Sequence, residues 1–308
     1  MHIYGLKNIQ MKNNKKTLAA IVAYNRPTHL KICILNIKRS LDYFDDNIKL
    51  IIFLDCDSNH SDDWNECRMI AEKSGFDFHL NSYNMGLRDN IYKIFAFFKN
   101  SLFDRLILIE DDIKVSPDFF HFFNSSFDLF EDTPKVSQIS GFSPINDLVE
   151  NAFTLYPRIS TWGWGTWKSK LPSPEEVSID WSNFTLSKKA FNTLSKYAPD
   201  TINLFYLQKK KKITTWSLDY YNYMLVNDFL TVYPMFSVIE NIGFDGSGIN
   251  NGNMKPLFKI FNPQKSVIKR TTVLEEEIDR TLVLKYFIKY YSPNIFSKII
   301  YKLFGFRQ

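Results

Sequence analysis

The order of apolar and amphipathic segments predicts an α/β fold: a mixed, mostly parallel sheet flanked by helices, with a C-terminal helical basic tail. Three observations carry this. Short, continuous apolar runs alternate with segments of helical periodicity. The runs lack polar alternation, as strands buried on both faces do. Polar residues collect directly after each run, where open α/β sheets bind ligands.

Residues 18–23 are the first run. Asn25-Arg26-Pro27 follows, and Pro27 suits a first helical position. Leu30, Cys33, Ile34, Ile37 and Leu41 then share one helical face. Residues 50–54 are the second run, ending at Asp55-Cys56-Asp57; Ser61 is a candidate N-cap and Gly75 a candidate stop for the next helix. Residues 76–80 form a weaker strand. Asn84 to Arg88 follow it, and Ile91, Ile94, Phe95 and Phe98 mark a third helix. The fourth run, 106–109, enters Glu110-Asp111-Asp112, and Ser116-Pro117 opens a Phe-rich helix.

The second half is less regular. Trp162-Gly163-Trp164-Gly165-Thr166-Trp167 reads as an aromatic, glycine-punctuated loop, or else as core packing. Ser217 is placed to cap a helix carrying Asp219 in its first turn. Residues 243–252 read as a polar, Gly-rich loop containing Asp245 and Ser247, the plain alternative being an ordinary turn. No repeat or long linker interrupts the chain, so 17–145 and 146–262 are two halves of one domain, between a basic extension (1–16) and a tail (263–308).

Composition narrows the function classes. The chain has 308 residues, 45% hydrophobic and 16% aromatic, which excludes a disordered protein. Cys33, Cys56 and Cys67 lack metal-site spacing and suit buried or idle thiols. The formal net charge is +5, but residues 1–16 carry +4 and those after Asp279 carry +6, leaving −5 on 17–279. Basic charge at the ends argues against a nucleic-acid partner, whose footprint sits on the folded domain. No run of about 18 uncharged apolar residues occurs, and the first residues lack a signal-peptide core, so the expected location is cytoplasmic. There is no phosphate-binding G-x-x-x-x-G-K-[ST] loop, no dinucleotide fingerprint and no G-x-S-x-G elbow.

Three adjacent carboxylates at a buried strand end repel one another. A divalent cation, Mn²⁺ or Mg²⁺, would relieve that through hard oxygen ligands, with water and phosphate completing its shell. The alternative is a solvated turn whose acids favour the following helix start.

Residues 107–120 resemble the acidic motif of GT-A-fold (Rossmann-like) glycosyltransferases, nearest the N-acetylglucosaminyltransferase I family and its bacterial relatives. Ala23-Tyr24-Asn25-Arg26 and Leu54-Asp55-Cys56 resemble that family's first- and second-strand motifs, in the same order and spacing. The resemblance makes 17–145 the nucleotide-sugar-binding half and 146–262 the acceptor and catalytic half. It implies that Asp112 ligates the metal, that Glu110 and Asp111 contact donor sugar and ribose, and that Asn25, Arg26 and Asp55 line the nucleotide. Arg88 is a phosphate ligand or an ordinary surface arginine. Thr215–Tyr221 resembles the stretch bearing the family's base, which makes Asp219 the candidate for deprotonating the acceptor in an inverting transfer; otherwise it is a helix-start acid. Trp162, Trp164, Trp167, Asp245 and Ser247 are the candidate donor and acceptor loop residues.

The expected activity is therefore transfer from a UDP-sugar, UDP-N-acetylglucosamine or a related hexose, to a lipid-linked or surface-polysaccharide acceptor. The apolar stripe of Ile295, Phe296, Ile299, Ile300, Leu303 and Phe304, with Lys298, Lys302 and Arg307 off it, suits the anionic inner face of a bacterial membrane, or a terminal helix packed on the body. Two readings from other classes stand beside it: a nucleotidyltransferase making a nucleotide-sugar, and a non-catalytic carbohydrate-binding protein.

Overall fold

The computed structural model describes residues 15–41, 47–145, 152–246 and 276–291. The first half alternates as expected: β1 (Thr17–Ala23), α1 (Pro27–Leu41), β2 (Ile48–Leu54), α2 (Asp62–Lys73), β3 (Asp77–Leu80), α3 (Gly86–Asn100) and β4 (Arg105–Glu110). Then come β5 (Ile113–Val115), α4 (Phe119–Phe130), β6 (Val136–Ser140), β7 (Ala152–Tyr156) and β8 (Trp164–Trp167). Four helices follow: α5 (Pro174–Val177), α6 (Lys188–Tyr197), α7 (Asp200–Lys209) and α8 (Trp216–Val226). The chain closes with β9 (Leu230–Pro234), β10 (Ile239–Asn241), β11 (Glu276–Glu277) and α9 (Arg280–Tyr291).

Among the described residues nine strands form one sheet, in the order β11-β7-β9-β6-β8-β4-β1-β2-β3. β3, β2, β1 and β4 run parallel. β8 inserts antiparallel between β4 and β6, and β9 runs parallel to β6. The carboxyl ends of β3, β2, β1, β4, β6 and β9 therefore share one edge with the amino end of β8. The boundary at 145 does not separate two bodies, because β8 from the second half lies between two strands of the first.

All seven residues of β1 are buried. Leu18, Ala20 and Val22 pack with α3 and α5 to α8, while Ala19, Ile21 and Ala23 pack with α1, α2 and α4. Two covered faces explain why the run shows no alternation. Each large side chain so buried, such as Ile21, contributes about 1.5–3 kcal/mol.

Local signals behave unevenly. Pro27 opens α1, and the Ser61 hydroxyl accepts from the Trp64 amide to cap α2. Ser116-Pro117 does not open α4, which starts at Phe119 after Asp118. The Ser116 amide donates instead to Val238 O at 2.9 Å, extending the small ribbon that β5 forms with β10. Thr215, not Ser217, caps α8.

The aromatic run is corrected. Residues 164–167 are not a loop but the buried strand β8, and Trp164 and Trp167 are core residues. Trp164 stacks on Trp216 and Tyr220 at 5.9 and 5.3 Å, out of reach of any sugar ring. The described part of the tail is body as well. β11 adds to the sheet beside β7, and Phe287 of α9 stacks on Tyr156 at 3.8 Å. The stripe at 295–304, the first 14 residues and Ser247 lie outside the described residues. Among the described residues, no helix is long and apolar enough to cross a membrane.

A Cβ on Gly165 would come within 2.7 Å of Phe127 and 2.9 Å of Phe123. Gly165→Ala should therefore cost about 1–3 kcal/mol through overpacking between β8 and α4, read as a lower urea midpoint at unchanged m-value.

Candidate active site

The site is assembled at the shared carboxyl edge. Register places Val22 of β1 opposite Glu110 of β4, and the Asp111 amide donates to Val22 O at 3.0 Å. Arg26, three residues past β1, is thereby brought against the acids that follow β4. Its Nη1 donates to Asp112 Oδ2 at 2.9 Å and its Nε to Asp111 Oδ2 at 3.3 Å, while Nη2 pairs with Asp111 Oδ1. One guanidinium thus holds two carboxylates.

The surroundings of this cluster are unfavourable to negative charge. Desolvation, then the charges of Asp112 and Asp111, push the Glu110 carboxyl up to about 8. Desolvation raises Asp111 to about 6 even with Arg26 pulling the other way. Burial and the nearby Asp111 and Asp112 likewise raise the Cys33 thiol, keeping it an inert neutral group.

Asp112 is enclosed by the chain. The β5–β10 ribbon carries the next loop over it, and the Ile242 amide donates to Asp112 O at 2.9 Å. A Cβ on Gly243 would lie 2.2 Å from Asp112 Oδ2, so only glycine permits this approach. Beyond it, Asp245 Oδ2 meets His29 Nε2 of α1 at 3.2 Å. Trp162, just before β8, is half-buried between Phe142 at 4.9 Å, Phe244 at 5.6 Å and Tyr290 of α9 at 6.5 Å. It is the one tryptophan of the run beside the edge.

The fit to a divalent cation can be tested on these atoms. Asp112 Oδ1 is buried and has no hydrogen-bond partner, a situation that costs about 1–3 kcal/mol for a polar atom. The cluster offers hard oxygens suited to Mg²⁺ or Mn²⁺. Among the described residues no three His, Cys, Asp or Glu side chains form a ready metal cage. A cation here would take Asp112 and complete its shell with water and phosphate oxygens, which is how Mg²⁺ is ordinarily held beside nucleotides. The residues fit.

Asp55 plays a different part. Its Oδ1 accepts from the amides of Cys56 and Met85 and from Asn81 Nδ2, and its Oδ2 from the Gly86 amide at 2.8 Å. These bonds lock the turn from β3 into α3, so the buried carboxylate is committed to the chain rather than open to a nucleotide. Asn25 is half-buried in the bend between β1 and α1.

A second cluster is built where α3 meets α8. Asp219 is 0% exposed. Arg88 in the first turn of α3 donates Nε to its Oδ2 at 3.0 Å, with Nη2 at 2.9 Å. Tyr92 donates to the same oxygen at 2.5 Å, and Trp181 Nε1 to Oδ1 at 2.7 Å. Burial, then the bond to Asp219, keeps the Tyr92 phenol protonated. Asp219 is thus a buried carboxylate whose Oδ2 is shared by Arg88 and Tyr92 while Oδ1 takes Trp181, an arrangement that fixes Arg88 in place.

The structure therefore joins Arg26, Glu110, Asp111 and Asp112 in one group and Arg88 with Asp219 in another. Sequence reading missed His29, Tyr92, Trp181 and Tyr290, and took Gly243 only as the start of a Gly-rich loop. Tyr92 alone left a signal, since it lies four residues after Arg88 on one helical face.

Residues 77–156 match the GNT-I family, the glycosyltransferase family whose acidic motif the sequence resembles. A search of curated proteins finds no match. The chain is also similar to three solved structures. The S. aureus TarS 1–349 structure is 7% identical at a TM-score of 0.37, over 50% of this chain and 47% of that one. The mannosyltransferase PcManGT from Pyrobaculum calidifontis, solved with GDP-Man and Mn²⁺, is 12% identical at 0.39, over 70% and 69%. Glucosyl-3-phosphoglycerate synthase from Mycobacterium tuberculosis, solved with Mn²⁺, UDP and phosphoglyceric acid, is 12% identical at 0.36, over 52% and 58%. The chain thus spans about half the length of the first and third. None of these likenesses is close enough to transfer a ligand or an activity. The fold is the mixed, mostly parallel α/β sheet expected from the alternation of apolar runs and helical segments.

The raised carboxyls carry a pH signature. Glu110 and Asp111 bind protons more tightly folded, at about 8 and about 6, than at their ordinary 4.5 and 3.8. Folding then takes up protons across that window, so stability falls as pH rises through about 6 and about 8. Without divalent cation, the melting temperature should drop across this range, and Glu110→Gln should flatten its upper part. A pH-independent melting temperature would contradict the assignment.

Proposed function

We propose that this protein is a metal-dependent, inverting glycosyltransferase of the GT-A type that uses a UDP-sugar donor. The observation that carries this reading is Asp112, with a buried, unpartnered oxygen beside two further acids and one arginine. It lies within the segment that matches the GNT-I family.

The chain's own residues have separable tasks. Asp112 would hold the cation, Mn²⁺ or Mg²⁺; when bound, that ion supplies neutralisation of the charge developing on the departing diphosphate. Arg26 is the counter-charge that keeps the acids together, and its fork-shaped donor set also suits phosphate. Glu110 and Asp111 would contact the sugar and ribose of the donor. Arg88, in the first turn of α3, brings a cation to a helix N-terminus, a setting that favours anions. Trp162 with Phe244 forms an apolar wall against which a sugar face can pack. The Asp245–His29 contact steadies the loop that covers Asp112.

UDP-N-acetylglucosamine or a related hexose donor is the first candidate. A lipid-linked or surface-polysaccharide acceptor at the inner face of a bacterial membrane is proposed from the basic ends of the sequence, which carry +4 and +6.

The test is a thermal-shift series with UDP-, GDP-, CMP- and dTDP-sugars, with and without Mn²⁺. Stabilisation by a UDP-sugar should require Mn²⁺ and reach about 2.7 kcal/mol at a hundredfold excess over the dissociation constant. Asp112→Asn should abolish the cation-dependent part and lower transfer at least about 100-fold. No cation-dependent shift with any donor would sink the proposal.

A further inference from the structure

We propose that Asp219 is a positioning residue, which with Tyr92 and Trp181 aims Arg88 at an anionic group of the donor, its diphosphate. The inference rests on the sugar-nucleotide reading above and departs from the base role that the sequence suggested.

Asp219 is 0% exposed, and its two oxygens take Trp181 Nε1 at 2.7 Å, Tyr92 Oη at 2.5 Å and Arg88 Nε at 3.0 Å. Arg88 and Tyr92 share Oδ2, Trp181 takes Oδ1, and the residue is buried. A buried carboxylate paired to one arginine and two neutral donors is what fixing that arginine requires, since the pairing removes the side chain's freedom before a ligand arrives.

The second step concerns the guanidinium. Its Nε–Nη2 edge is held by Asp219, Nη2 at 2.9 Å. Its face lies over the Tyr92 ring at 5.4 Å. With edge and face both held, the remaining Nη1 end is the part available to a ligand, and 31% of the side chain is exposed. The planar fork matches a phosphate oxygen pair. Arg88 stands in the first turn of α3, just past β3, so it faces the same carboxyl edge as Asp112. The turn that puts it there is fixed by Asp55 through the amides of Met85 and Gly86.

The experiment is calorimetric titration with UDP and with uridine, both in Mn²⁺, against the full chain and its Arg88→Ala, Arg88→Lys, Asp219→Asn and Arg88→Ala/Asp219→Asn variants. Each single variant should bind UDP about 10- to 100-fold more weakly and bind uridine unchanged. The double variant should be no weaker than Arg88→Ala alone, because both act through one guanidinium. Arg88→Lys guards against misfolding, as it leaves the buried carboxylate in place and keeps the charge while losing the fork. In transfer assays Asp219→Asn should raise the donor KM and keep the wild-type pH profile. Unchanged UDP affinity in Asp219→Asn with a lost acidic limb of kcat restores the base role and overturns the proposal. So do additive losses in the double variant, or equal loss of uridine. If the wild-type protein binds neither ligand, the sugar-nucleotide reading itself fails and takes this assignment with it.

Discussion

The contact of Arg26 with Asp111 and Asp112 is the constraint on which the edge of this sheet depends. Three carboxyls follow one another at the end of a buried strand, where low dielectric magnifies their repulsion. A single guanidinium answers two of them, and it comes from 85 residues earlier in the chain. That meeting is possible because β1 and β4 are neighbours in register. The charge still does not balance, and burial, then the charges of Asp112 and Asp111, hold Glu110 far above its ordinary range. An electrostatic deficit of this kind is costly as structure alone and useful as a cation site.

The rest of the edge is arranged around that deficit. The β5–β10 ribbon brings backbone over Asp112, and Gly243 lets it come close. Asp55 ties off the turn before α3, which places Arg88. Asp219 of α8 then holds Arg88 directly, beside the packed rings of Trp216 and Tyr220 on the same helix. Among the described residues several buried polar atoms have no hydrogen-bond partner, and Asp112 Oδ1 is the one carboxylate oxygen among them.

Aromatic residues do two distinct jobs. Trp164, Trp167 and the phenylalanines of α4 fill the sheet-facing core. Trp162, Phe142, Phe244 and Tyr290 instead meet at the rim, where the last described helix touches the loop over the acids. Helix α9 is therefore part of the body around the site, joined to it by Phe287 stacked on Tyr156.

The sequence by itself determined the α/β class, the order of the first four strands and the acidic edge. Those follow from local patterns: apolar runs, helical spacing and residues placed directly after a strand. Arg26, Asp111 and Asp112 were legible for the same reason, since each sits at a fixed offset from a run. Tertiary structure alone decided the rest, because it depends on which distant segments become neighbours. Trp164 reads like Trp162 along the chain, yet strand pairing between β4 and β6 buries one and leaves the other at the rim. Asp219 looks like a free helix-start acid until α3, α8 and the segment bearing Trp181 converge on it. A residue's type and offset can be read in one dimension, but how many donors surround a carboxylate, and whether an oxygen is left open, is a property of packing.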